Sequence, residues 1–268
     1  MDLLRDKHFT VVGAGNIGGI LLDRLATVGV AAERLAVCDA DPERGHAAAE
    51  RFGVRAITLS DDNACTADVI LLASPPATVL DVLRSIAGRL HRGQVVISFA
   101  AAVTLPRMEA LVPSDVAVAR VMPTASSLVG QGMNPVAYGG AVTPEQQALI
   151  DGILAALGDW VEVRDDQMNW CVGLAGAAMR SLLPVLEGMT QAGVDAGLEP
   201  ETARRMAAQI MVGTASLALH TALPFEEIKR LTPMQTVDEA AVAEVFRTAA
   251  AQARDKIDQL QRKLEAAS

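Results

Sequence analysis

Aromatic residues are scarce in this sequence: 2 Trp, 1 Tyr and 5 Phe make up 3% of its 268 residues. Hydrophobic residues nevertheless reach 51% and charged residues 21%, so a sizeable aliphatic core is expected and a disordered chain is excluded. Because rings are so few, a binding pocket in this chain must recognise its ligand mainly with Arg, Thr and Met side chains.

Cysteine is equally scarce, since only Cys38, Cys65 and Cys171 occur and they lie far apart in the sequence. No CxxC pair or histidine-rich run accompanies them. The sequence therefore predicts neither a disulfide framework nor a metal site, and it favours a reducing, cytoplasmic environment.

An excess of positive charge is absent too: 23 Lys and Arg stand against 32 Asp and Glu, a net charge of −9. A nucleic-acid partner or an anionic membrane surface is therefore not expected. The opening residues, MDLLRDKHFT, contain no apolar run of signal-peptide length. The most apolar later stretch, residues 171–186, is interrupted by Arg180 and Pro184 and is shorter than the ~20 residues of a membrane span. We expect a soluble cytoplasmic protein.

Hydrophobic periodicity divides the chain into two domains, residues 1–160 and 161–268. The first alternates short β-branched runs with amphipathic stretches, a pattern typical of βαβ units in a parallel sheet. The second has only helical spacing. The predicted strands are Phe9–Val12, Leu35–Cys38, Val69–Ala73, Val95–Phe99 and Val116–Val121. The predicted helices are Asn16–Val28, Pro42–Phe52, Thr78–Leu90, Asp166–Ala196, Pro200–Thr221, a short one from Pro224, and Val237–Ala266.

A glycine motif, FTVVGAGNIGGI, joins the first predicted strand to the first long helix. It contains GxGxxG at Gly13, Gly15 and Gly18, which suit a tight turn, close approach of a pyrophosphate and packing of helix on strand. Asn16 and Ile17 open the helix, whose N-terminal amides attract phosphate. The context predicts a Rossmann-type, doubly wound domain that binds a dinucleotide. The alternative is a purely structural glycine turn.

The end of the second strand carries the residues that bear on the choice of dinucleotide. Asp39, 26 residues after Gly13, can accept hydrogen bonds from both ribose hydroxyls and would repel a 2′-phosphate. NAD is therefore preferred. Arg44 follows in the next helical turn, from which it could reach a 2′-phosphate, so NADP stays possible. Alternatively, Asp39 or Asp41 is simply a cap of the helix that begins at Pro42.

Three further segments resemble the pyrroline-5-carboxylate reductase family. Residues 97–104, ISFAAAVT, are similar to its ISxAAGVT stretch, and residues 120–124, RVMPT, are similar to its RVMPN stretch. Residues 128–133, LVGQGM, resemble its LVGxGM stretch. The likeness implies an NAD(P)-dependent reductase of C=N bonds whose helical half is a dimerisation domain, hence a homodimer. It also implies that the cofactor pocket is lined by Ala73, Ser74, Pro75, Ala100, Ala101, Met122, Pro123 and Thr124.

The substrate segments depart from that family. Its SGSGPAY loop is replaced by residues 175–181, AGAAMRS, and its TSPGGTT segment by residues 232–238, TPMQTVD. A site that recognises its ligand through hydrogen bonds changes substrate when it loses donors. We therefore expect an altered substrate, a small carboxylate-bearing imine. By the resemblance, Thr236, or Thr232 if the alignment shifts, takes the place of the Thr that contacts the imine.

Arg180 belongs to a second, fainter likeness. Residues 173–180, GLAGAAMR, have the GxxGxxxK form of β-hydroxyacid dehydrogenases and related imine reductases, with Arg in place of Lys. This implies a guanidinium that clamps a substrate carboxylate in bidentate fashion. The alternative is an ion-pairing residue on a helix surface or interface. Two other functions remain open: a dehydrogenase of hydroxy or keto acids on the same fold, and a nucleotide-binding or scaffolding protein that has lost catalysis.

Overall fold

The computed structural model describes residues 2–267, with all of their side chains except those of Asp2, Asp62 and Asn63. Eight strands form one sheet. They are β1 (Phe9–Val12), β2 (Leu35–Cys38), β3 (Arg55–Ala56), β4 (Val69–Leu72), β5 (Val95–Ser98), β6 (Ala117–Val121), β7 (Gly132–Tyr138) and β8 (Gly158–Glu162). The five predicted strands are therefore confirmed to within one residue at each end.

Eleven α-helices accompany the sheet among the described residues. They are α1 (Asp2–Arg5), α2 (Asn16–Thr27), α3 (Pro42–Phe52), α4 (Val79–Ile86), α5 (Leu105–Glu109), α6 (Pro144–Leu157), α7 (Met168–Cys171), α8 (Ala178–Asp195), α9 (Pro200–His220), α10 (Phe225–Arg230) and α11 (Glu239–Ala266). The helix predicted over residues 166–196 is interrupted, because residues 172–176 form a π-helical turn between α7 and α8.

The strand order is β3-β2-β1-β4-β5-β6-β7-β8. The first six strands are parallel, β7 runs antiparallel to β6, and β8 is parallel to β7. From β1 the chain winds first to one side, through β2 and β3, and then to the other, through β4 to β6. The predicted α/β class with a doubly wound, mainly parallel sheet is confirmed.

Successive strand residues face two different helical layers. Val11, Leu71 and Ile97 pack into a core that includes side chains of α1, α2 and α6. Their sequence neighbours, such as Val12 and Leu72, pack into a second core with side chains of α4, α5 and α7 and with Leu264 of α11. Both faces of the sheet are thus buried, which explains why the parallel strands read as continuous apolar runs.

Contacts divide the chain into two units, residues 1–176 with 251–268 and residues 177–250. The boundary predicted after residue 160 differs from this division, because residue 160 lies within β8. In addition, the C-terminal part of α11 belongs to the unit that holds the sheet. The all-helical character predicted after residue 160 holds from residue 165 onward.

Within the second unit, α8 and α9 pack closely through small residues. A Cβ added to Gly193 would lie 2.9 Å from the Cβ of Ala203. Ala203 and Ala207 are the buried hydrophobic residues of this unit, whereas many of its large apolar side chains are exposed. A groove of about 840 Å³ is lined by residues that include Met189, Leu198, Met206 and Ile210.

One described stretch, Asp165–Asp195, is long and apolar enough to cross a membrane by length and composition alone. This helical stretch extends beyond residues 171–186, the shorter segment on which the sequence-based expectation rested. The stretch contains Arg180, and Pro184 interrupts the hydrogen bonding of α8. Only 6% of its most apolar window is buried in this structure, so its side chains are open to contact with another surface.

The turn between β1 and α2 leaves no room for a side chain at Gly18. A Cβ there would lie 1.8 Å from the carbonyl oxygen of Gly13. Gly18→Ala should therefore lower the free energy of unfolding by about 1–3 kcal/mol or more. Gly88→Ala is the matched control, because no atom lies within 4 Å of the added Cβ. Urea unfolding of both variants tests this expectation, and equal midpoints would contradict it.

Candidate functional site

The residues predicted to contact a dinucleotide gather at one edge of the sheet. Each group directly follows the carboxyl end of a parallel strand, and the five strands β2, β1, β4, β5 and β6 are neighbours in that order. The winding direction reverses between β1 and β4, which is where open α/β sheets bind ligands. The residues are Asp39 after β2; Gly13, Gly15, Asn16, Ile17 and Gly18 after β1; Ala73, Ser74 and Pro75 after β4; Ala100 and Ala101 after β5; and Met122, Pro123 and Thr124 after β6.

The glycine turn has the geometry that a phosphate requires. Gly13 has a φ of +107°, and a Cβ there would lie 2.7 Å from the carbonyl carbon and oxygen of Ala73. Gly15, in contrast, has no atom within 4 Å of an added Cβ. No side chain caps the N-terminus of α2, and its first turn carries no acidic residue. The backbone is therefore open to an anion at Gly15 and Asn16.

Ser74 supplies a further polar group at this crevice. Its Oγ is buried and has no hydrogen-bond partner in the described part of the chain. Its backbone nitrogen would lie 2.9 Å from a Cβ at Gly13, so the turns after β1 and β4 touch. A buried hydroxyl without a partner normally costs free energy, and a ligand oxygen at this point would remove that cost. The crevice thus fits a phosphorylated cofactor.

Asp39 is held firmly by the glycine turn. Its Oδ2 accepts a hydrogen bond from the Ala14 amide at 2.7 Å, and its Oδ1 accepts one from the Asp41 amide at 2.9 Å. Its side chain is only 10% exposed. Asp41 is the N-cap of α3, accepting from Glu43 and Arg44 amides. The capping alternative therefore applies to Asp41, and Asp39 keeps lone pairs for another donor.

Arg44 stands beside both carboxylates. Its guanidinium nitrogens lie 3.8 Å from Asp39 Oδ1 and 3.6 Å from Asp41 Oδ2, and the side chain is 57% exposed. It is thus free to turn toward a 2′-phosphate, although it would leave two carboxylates to do so. This geometry favours a ligand without that phosphate.

The other end of the edge is apolar. Ala100 and Met122 are buried, and Ala101 packs against the same cluster. Ala102, which follows, has a φ of +66°, an uncommon conformation for a residue with a Cβ. Thr124 is buried and its Oγ1 lies 2.8 Å from Ser126 Oγ. This part of the edge has the low polarity that suits a nicotinamide ring.

Cys38, at the end of β2, is not a candidate nucleophile. Burial raises the pKa of its thiol to about 12, with smaller contributions from Asp39 and Cys65. The thiol therefore stays neutral at physiological pH, and a thiolate is the reactive form. Cys38, Cys65 and Cys171 are all buried and free.

The three predicted substrate residues lie in the second unit. Arg180 is exposed on the first turn of α8 and has no ion pair among residues 2–267, so the surface ion-pair alternative has no support within one chain. Thr232 and Thr236 are exposed in the segment between α10 and α11.

Sequence reasoning missed a buried charge. Arg120 of β6 is fully buried; it donates to Asp165 Oδ1 at 2.9 Å and to Asn169 Oδ1 at 3.0 Å. Asp165 also accepts from the Leu105 amide at 3.1 Å. Asp165 therefore supplies the carboxylate that neutralises Arg120. An arginine inside an apolar strand is the signal that was available, since buried charges need partners.

Comparison with known proteins agrees with this geometry. Residues 8–102 match the family model described as NADP oxidoreductase coenzyme F420-dependent, and residues 165–260 match the model of pyrroline-5-carboxylate reductase dimerisation. The pyrroline-5-carboxylate reductase of Escherichia coli (strain K12) is 30% identical over 217 residues, which cover 81% of each chain.

Solved structures give the same result. A pyrroline-5-carboxylate reductase from Coxiella burnetii is 25% identical and superimposes with a TM-score of 0.79, covering 95% of this chain and 98% of that one. A Plasmodium falciparum pyrroline carboxylate reductase with NADP bound has a TM-score of 0.82 at 18% identity, covering 96% and 99%. The chain belongs to the pyrroline-5-carboxylate reductase family.

Proposed function

We propose that this protein is an NAD(P)H-dependent reductase of a C=N bond in a small cyclic imine that carries a carboxylate. The observation that carries the proposal is the crevice between β1 and β4, where Gly15 is open and the Ser74 hydroxyl lacks a partner. Membership of the family supplies the reaction class, since the relatives named above are pyrroline-5-carboxylate reductases.

The chain's own residues would hold the cofactor along the sheet edge. The nicotinamide, when bound, supplies the hydride. The amides at Gly15 and Asn16 would bind the pyrophosphate, and the Ser74 hydroxyl would donate to one of its oxygens. The apolar residues Ala100 and Met122 would exclude water from the reacting carbon, as hydride transfer requires.

Arg180, Thr232 and Thr236 are proposed as the residues that contact the substrate. A guanidinium binds a carboxylate with two parallel hydrogen bonds and keeps its proton at neutral pH, so Arg180 would orient the substrate and not protonate it. A hydroxyl from Thr236, or from Thr232, would donate to the imine nitrogen. The altered substrate remains a proposal, supported by the replaced segments 175–181 and 232–238.

A homodimer through the helical unit is the proposed assembly. The second unit buries few apolar side chains and exposes many, and Met189, Leu198, Met206 and Ile210 line one groove. Exposed apolar patches of this kind mark interaction sites. The match of residues 165–260 to a dimerisation model supports a second copy of the chain as the partner. We propose a cytoplasmic location, as the free cysteines suggest.

Turnover assays test the reaction class directly. We expect NADH oxidation with five- and six-membered cyclic imine carboxylates and at least tenfold lower kcat/KM with the matching keto acids. Faster turnover of keto acids would instead support a hydroxyacid dehydrogenase. Dinucleotide binding without turnover of either class would support a binding or scaffolding role.

Gly15→Val tests the proposed phosphate site. An added Cβ at Gly15 meets no atom beyond its two chain neighbours, so the fold should remain intact while the pyrophosphate loses its place. We expect NADH affinity, measured by fluorescence titration, to fall at least 100-fold with little change in Tm. Unchanged affinity would show that the dinucleotide binds elsewhere.

Asp39 substitutions test the cofactor preference. Asp39→Ala should shift the ratio of kcat/KM values toward NADPH by removing charge repulsion of the 2′-phosphate. Asp39→Asn is the matched variant: it removes the charge but keeps an oxygen for the Ala14 amide, which the wild-type carboxylate binds at 2.7 Å. A preference for NADH that is undiminished in both variants would remove Asp39 from the ribose site.

A further inference from the structure

The segment that replaces the family's substrate loop begins in a π-helical turn, residues 172–176, directly after α7. A π-helical turn is rarely stable by itself and often occurs at functional sites. Its conformation must therefore be maintained by the residues around it. Two sets of contacts within the sheet-bearing unit hold α7, the helix that leads into the turn.

The first set is apolar. Met168 and Cys171 of α7 and Val172 of the turn lie in the same cluster as Ala100 and Met122. The residues before the π-helical turn thus share one apolar cluster with the loops proposed to hold the nicotinamide. Apolar contacts fix the distance between the two segments but tolerate sliding, because they are not directional.

The second set is polar and directional, and it is centred on Asn169. The Asn169 Oδ1 accepts from Arg120 of β6 at 3.0 Å. Its Nδ2 donates to Asp258 Oδ1 at 2.9 Å and to Gln261 Oε1 at 2.7 Å, both on α11. The amide is therefore held from two sides, and only one orientation of its oxygen and nitrogen satisfies all three partners.

We propose that Asn169 is a positioning residue that sets where the π-helical turn, residues 172–176, lies relative to the nicotinamide loops after β5 and β6. Arg120 stands only two residues before Met122, so the hydrogen bond from Arg120 to Asn169 ties the turn to the strand that carries one of those loops. The proposal rests on the proposed function, because its effect on catalysis requires that the turn belong to the substrate site.

Asn169→Asp tests the proposal without changing side-chain size. The introduced carboxylate still accepts from Arg120 but cannot donate to Asp258 or Gln261, and it lies beside the Asp258 carboxylate. We expect kcat with the imine to fall about 10- to 100-fold, since small misplacements of reacting groups have effects of this size. The Kd for NADH should stay within about twofold. Gln259→Glu is the matched control, because it adds the same charge to an exposed position of α11, next to Asp258 in the sequence.

The double variant Asn169→Asp with Asp258→Asn provides the rescue. The amide introduced at position 258 can donate to the new carboxylate, so the bond reforms with donor and acceptor exchanged. We expect kcat to return to within about threefold of the wild-type value. Asp258→Asn alone removes a charged acceptor from the helix surface, should fold normally, and is expected to give a smaller loss of kcat.

Hydrogen exchange supplies a readout that does not depend on activity. Amide exchange of residues 170–176 should be faster in Asn169→Asp and normal in the double variant, whereas the glycine turn should be unchanged in both. A lower Tm with unchanged kcat and unchanged exchange in this segment would overturn the proposal and leave Asn169 with a structural role. If the wild type reduces no cyclic imine, the proposed function fails, and the exchange pattern still decides whether Asn169 positions the turn.

Discussion

The close approach of two backbone turns is the constraint on which the ligand-binding edge depends. The turn after β1 touches the turn after β4 so tightly that no Cβ fits at Gly13, and α2 packs so tightly on its own entry turn that none fits at Gly18. The same contact leaves Gly15 facing open space. Tight packing at Gly13 and Gly18 thus leaves the backbone amides at Gly15 and Asn16 accessible to a phosphate.

A second constraint joins this edge to the rest of the chain. Arg120 cannot lie unpaired inside the sheet, and its partners come from residues 45 and 49 positions later. The need to neutralise one buried charge therefore places α7 against β6 and, through Asn169, brings the end of α11 to the same unit. A buried ion pair adds little net stability, whereas removal of one partner is costly because it leaves an uncompensated buried charge.

Local patterns predicted the parts of the fold that depend on local physics. The apolar strands β1, β2, β4, β5 and β6 and the long helices follow from periodicity, and the glycine turn follows from its motif. In contrast, β7 contains Gly132, Asn134 and Pro135, which are poor strand formers. The buried side-chain amide of Asn134 finds its hydrogen-bond partners outside β7. It donates to the carbonyl of Asp159 and accepts from the hydroxyl of Ser127. Such long-range compensation leaves no signal in a short window of sequence.

Helix α6 shows that an available signal was overlooked, because Thr143 and Gln146 form a capping box before an apolar run.

The candidate site contains residues that the sequence could predict and others that it could not. Cofactor residues could be predicted because they follow strands that share one edge. The replaced segments, residues 175–181 and 232–238, could be identified only by resemblance, since no local pattern of residue types marks them.

The central claim is that the cofactor held at the edge between β1 and β4 delivers hydride to a C=N carbon. Deuteride transfer tests this step: the protein is incubated with a cyclic imine carboxylate and NADH that carries deuterium at both C4 positions, and the product is analysed by NMR. The account predicts one deuterium on the carbon that formed the C=N bond. A product without deuterium at that carbon, or no amine product at all, would contradict it.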